Sequence, residues 1–185
     1  MRRFIALISL LLLTACGLPI TDLDKTPEPI GDFKLGFAVT NAADPMAKGP
    51  LSRDATRQEW MAALKPAFET RFKRFDGEKY YHIGVTAMGY VLAQPGVPLV
   101  LSPKSILIFE VVVIDDATQQ LLTPEPEQFT IFERFSSGFL VGSGYTQTRE
   151  EQIEHLSKAA AHRTEQWLRE QPWFYGGQGQ PQTTP

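Results

Sequence analysis

Three histidines, a single cysteine and one pair of adjacent acids are the residues of this chain with the widest chemical reach. His155 and His162 lie seven positions apart on what reads as one helix, sharing a face but separated by about 10.5 Å along its axis. That is too far for one metal ion, so they read as surface histidines. His82 falls in a strand with no ligand-type residue close in sequence. Asp115 and Asp116 are neighbours, and neighbours in a strand point to opposite faces, so they read as a turn rather than an acid pair. Gly142-Ser143-Gly144 precedes a helix and could cradle an anion on free N–H groups. It lacks the Lys-Ser/Thr of a phosphate loop and the Gly-x-Ser-x-Gly of a nucleophile elbow. A small periplasmic hydrolase would need His82, Glu110, Glu133 or Ser143 to converge in one cleft. No zinc, cofactor or cysteine-nucleophile site is expected, and the chain reads as non-catalytic.

The elements that would position these residues follow from periodicity. Phe33, Leu35, Phe37 and Val39 alternate with small or polar residues, which predicts a strand ending near Thr40, with a loop from Asn41 to Pro50. Thr56 and Glu59 have capping-box spacing, and Trp60, Leu64, Phe68, Phe72 and Phe75 then recur at helical intervals. Pro66 predicts a kink or break near Lys65, and Arg71, Lys73 and Arg74 complement the dipole at the helix end. Strands are expected over Lys79–Gln94, Lys104–Asp115 and Gln128–Phe139, the last continuing towards Val141. Thr148 and Glu151 open a second helix, with Ile153, Leu156, Ala160, Trp167 and Leu168 inward and Glu165 outside the stripe. Trp173, Phe174 and Tyr175 would dock its end onto the core. Strand, helix, three strands, helix is the order of an α+β two-layer sandwich: a mainly antiparallel sheet of about four strands, with two helices on one face.

The amino-terminal region has a different pattern. Arg2 and Arg3 precede an apolar run from Phe4 to Leu13 broken only by Ser9. It is short of the roughly 20 residues that span a bilayer, but it suits a secretory signal. Leu13-Thr14-Ala15-Cys16 follows, and in these residues the chain resembles bacterial lipoproteins at their lipobox. That resemblance implies cleavage between Ala15 and Cys16, a diacylglyceryl group on the Cys16 sulfur and an amide-linked third acyl chain. Two or more chains give durable attachment where one gives marginal attachment. Gly17, where Asp would favour the inner membrane, implies an outer-membrane location facing the periplasm. The organisation read from sequence is a signal peptide at 1–15, an acylated cysteine and flexible tether at 16–31, one domain at 32–175 and a disordered tail at 176–185. The mature domain also resembles small envelope lipoproteins of the lipopolysaccharide-assembly LptE type and the amino-terminal domain of TolB. The resemblance lies in the strand at Phe33–Thr40 before a helix, the turn Asp115-Asp116-Ala117-Thr118, and the glycines before the last helix.

Composition narrows the partners. The chain carries 18 basic and 21 acidic residues, and loss of Arg2 and Arg3 with the leader leaves 16 against 21. Nucleic acid, which is bound by clustered Lys and Arg, is therefore not an expected partner. The sheet supplies a better candidate. Lys104–Asp115 is apolar on both parities, although a two-layer sandwich needs only one apolar face. Met88, Tyr90, Ile106, Ile108 and Val112 are the residues expected on the second face, for an envelope protein or an amphipathic ligand. A purely structural, self-associating envelope protein is the third reading.

Overall fold

The computed structural model describes residues 22–94, 105–133 and 147–175. The leader, Ala15, Cys16, Ser143 with its flanking glycines, and the tail from 176 lie outside the described residues.

The sheet holds four strands in the order β1-β2-β3-β4: β1 (Lys34–Lys48), β2 (Tyr80–Val91), β3 (Ile106–Asp115) and β4 (Glu127–Phe132). The pair β1–β2 is parallel, and β2–β3 and β3–β4 are antiparallel. Two helices, α1 (Arg57–Phe72) and α2 (Arg149–Arg169), cover one face, so the α+β two-layer reading holds.

Both capping boxes form. Thr56 accepts from the Glu59 N–H and Thr148 from the Glu151 N–H, while each glutamate accepts from the backbone N–H of its cap residue. Trp60, Leu64, Phe68 and Phe72 are wholly buried at four-residue spacing, one stripe down α1 against the sheet. Leu107, Phe109, Val111 and Val113 enter the same core from β3, beneath α2, and are also wholly buried. Each such side chain contributes about 1.5–3 kcal/mol on removal from water.

Three expectations change. α1 runs unbroken through Pro66, because Ala62 and Pro66 lie on its exposed flank, where water can take the carbonyl the ring leaves unpaired. β1 does not stop at Thr40: the turn formers after Ala42 are absorbed by a register shift between Ala42 and Ala47, and pairing resumes at Ala47 and Lys48. Residues 22–31, read as part of a tether, are instead held on the domain. Arg74 donates to the Lys25 carbonyl, Arg169 to the carbonyls of Glu28 and Pro29, and Ile30 is buried. The sequence is polar enough for a linker, but its backbone carbonyls match guanidinium groups at the helix ends. Phe174 docks as expected, in edge-on contact with Phe33 and Tyr81, and Trp173 packs edge-on against Trp167 and Phe174.

Candidate functional site: the open sheet face

The sheet face opposite the helices is assembled by strand alternation. Inner residues of β3 pair with inner residues of β2 and β4, leaving Ile106, Ile108, Glu110, Val112 and Ile114 on the outer side, each half-buried. β4 adds Thr130 and Phe132 beside Ile108 and Ile106, and Phe132 is 56% exposed. At the other end of the face, β1 contributes Phe37 and Val39, which are 51% and 54% exposed. Glu110 is the acid near the middle, paired across to Thr86 and Gln128. A surface with this much exposed aliphatic and aromatic area, crossed by few charges, suits apolar contact better than proton-transfer chemistry.

Of the residues read from sequence, Ile106, Ile108 and Val112 lie on this face, and Met88 is half-exposed on β2. Tyr90 does not lie there. β2 carries one extra residue between Ala87 and Gly89, so two residues of β2 oppose one of β3, and the parity inverts beyond Met88. Tyr90 therefore turns inward, 6% exposed, with its ring against Trp60. Its hydroxyl donates to the Ala55 carbonyl and accepts from the Ala55 N–H. The same inversion brings Val91 outward beside Ile106, a residue that strict alternation assigns to the core.

Of the residues a hydrolase would need, the three described ones, His82, Glu110 and Glu133, stand apart. His82 pairs across to Ile114 at one end of the sheet, whereas Glu110 is four residues further along β3, roughly 13 Å away. Glu133 lies at the opposite end, its N–H donating to Ser105. His82 does have a partner that sequence separation hid: its Nε2 is 2.8 Å from Asp116 Oδ1, across the turn that follows β3. A carboxylate only accepts, so Nε2 is the donor in this bond. The ring stacks on Phe37 with centroids 3.6 Å apart, and Gly36 leaves room for it, since a Cβ there would run into the imidazole. This cluster braces the end of the open face.

A second cluster joins the helices. Arg71, 2% exposed in its side chain, bonds Asp22 at 3.0 and 2.9 Å and Glu165 at 2.5 Å, while Arg169 holds the other Glu165 oxygen. Burial opposes the Arg71 charge, but the two carboxylates outweigh it and hold the guanidinium above its ordinary range. The bond from Arg71 lowers Asp22 to about 2, against a smaller opposing effect of burial. Glu165, expected outside the helix stripe, is buried here because Arg71 sits opposite it. Ligand atoms of Asp22, His162 and Glu165 lie within 4.8 Å of one another, the only such trio among the described residues. A metal ion there would have to displace a buried guanidinium from both carboxylates, so the donor set fits an ion-pair clamp better than a cation site.

No helix among the described residues is long and apolar enough to cross a membrane. No family model matches the chain. No curated protein matches it. Among solved structures it is similar to protein XCC0632 from Xanthomonas campestris, of family-model DUF330, at 14% identity over 79% of this chain and 95% of that one, with a TM-score of 0.42. A "putative lipoprotein" from Caulobacter crescentus is 12% identical over 77% and 93% of the two chains, TM-score 0.39. The PelC dodecamer from Paraburkholderia phytofirmans is 9% identical over 71% and 87%, TM-score 0.37.

Proposed function

We propose that this chain is a lipid-anchored protein of the bacterial envelope whose folded domain is a non-catalytic binding or accessory module, engaging an envelope protein or an amphipathic molecule through its open sheet face. The anchor is the acylated Cys16 of the lipobox Leu13-Thr14-Ala15-Cys16, and the outer membrane, facing the periplasm, is the location that Gly17 favours. The observation that carries the binding reading is the outer row of β3. Ile106, Ile108, Val112 and Ile114 are half-buried by their neighbours, with the exposed Phe132, Val39 and Phe37 around them. Contact with a partner would remove that apolar area from water at about 25 cal/mol per Å². The scattering of His82, Glu110 and Glu133 supports a role without chemistry at this face.

The test has two arms. Growth with an alkyne fatty acid should label the wild-type chain and leave Cys16→Ser unlabelled; label on Cys16→Ser would remove the anchor. An Ile108→Asp chain should remain folded and membrane-bound yet lose the associations and envelope phenotype of the wild type. If Ile108→Asp kept both, the sheet face would not be the binding surface.

A further inference from the structure

The two helices run the same way. Arg149 in the first turn of α2 bonds Glu59 in the first turn of α1, and Arg71 near the end of α1 bonds Glu165 near the end of α2. One end of the domain thus carries both helix N-termini and the other both C-termini. The amino-terminal segment docks at the second end. Asp22 is held by Arg71, the Lys25 carbonyl by Arg74, the Glu28 and Pro29 carbonyls by Arg169, and the Asp32 N–H bonds the Phe174 carbonyl at 2.7 Å.

Only six residue steps separate Cys16 from Asp22. Fully extended they reach roughly 20 Å, at about 3.3–3.6 Å each. The 21 residues of α2 span roughly 31 Å. The linker is therefore too short to bring the far end of the domain to the lipid while Asp22 stays on Arg71. Asp22 is also gripped from the helix layer, on the opposite side of the sheet from the open face.

We infer that the Asp22–Arg71 clamp makes the helix C-terminal end the lipid-facing end of the domain and keeps the opposite end, with both helix N-termini, out of reach of the bilayer that anchors it. This rests on the lipid-anchored reading and deepens it. The lipid surface meets the end that carries half-buried Trp173 and Tyr175, residue types suited to the headgroup level.

The experiment uses the full, acylated chain in vesicles of phosphatidylethanolamine and phosphatidylglycerol that carry a headgroup energy acceptor. With the Cys16 sulfur acylated, one added thiol takes the donor dye. Lys25→Cys marks the docked end, Thr130→Cys the open face and Asp54→Cys the far end; all three residues are exposed. Transfer should fall in that order, with a height difference of roughly 30 Å between the extremes. Adding Asp22→Ala, which leaves Arg71 paired with Glu165, should narrow the spread while the protein still floats with vesicles. Equal transfer from all three sites, or highest transfer from Thr130→Cys, would overturn the orientation, and a spread indifferent to Asp22→Ala would overturn the role given to the Asp22–Arg71 clamp. A wild-type chain that fails to float would overturn the anchor itself, and the orientation with it.

Discussion

Replacing Asp22 with Asn tests the clamp through its energy. The Arg71 bond lowers the Asp22 carboxyl from 3.8 to about 2, and at 1.36 kcal/mol per pH unit such a fall amounts to about 2.4 kcal/mol. The side chain is 40% exposed, so solvent screening reduces the usable part to about 1 kcal/mol. Because the folded-state value is depressed, this stability is present above pH ~4 and is lost as pH falls towards 2. Asp22→Asn should therefore cost about 1 kcal/mol at pH 7, a fall in melting temperature of roughly 2–4 °C for a domain of this size. Near pH 2 wild type and variant should coincide. The assay is urea denaturation of the chain from Gly17 onward at a series of pH values, comparing the two proteins at each. Other carboxylates, Asp54 and Glu59 among them, are also held low by basic or backbone partners, so both curves will drop in acid. The difference between the curves is the informative quantity. A gap unchanged from pH 7 to pH 2 would mean that the Asp22 charge contributes nothing to holding the segment.

Two further outcomes follow from geometry. Leu107→Asp places a charge in the wholly buried core and should abolish folding, whereas its neighbour Ile108→Asp, on the half-buried outer row, should keep the wild-type circular dichroism spectrum; equal damage from both would mean that the outer face is core. Gly36→Ala drives a methyl into a His82 ring already fixed by Asp116 and Phe37, and should cost about 1–3 kcal/mol in chemical denaturation.

Much of the fold was legible because local signals agreed with one another. The Thr56–Glu59 and Thr148–Glu151 boxes fixed both helix starts, and the four-residue recurrence from Trp60 to Phe72 identified the buried face of α1. The double-sided apolar pattern of β3 put Ile106, Ile108 and Val112 on the strand's outer side, where they lie. Tyr90 was misplaced because alternation assumes an unbroken ladder, and a single extra residue at Met88 reverses every side chain beyond it. Composition gives no warning of such a bulge. The partners His82–Asp116, Arg71–Glu165 and Arg71–Asp22 were hidden for another reason: they are 34, 94 and 49 positions apart, and only the folded topology brings them together. Asp22 carried a weak sequence signal, since a buried arginine at the inner end of a helix demands acids from somewhere.

The central claim, that the open sheet face is where this domain meets its partner, is tested most directly by a photo-crosslinking amino acid introduced in living cells at Ile108, and separately at Glu154 on the exposed side of α2. Discrete adducts should form from position 108 and vanish when Val112→Asp is added, while position 154 yields none. Adducts of equal strength from both positions, or from neither, would contradict the account.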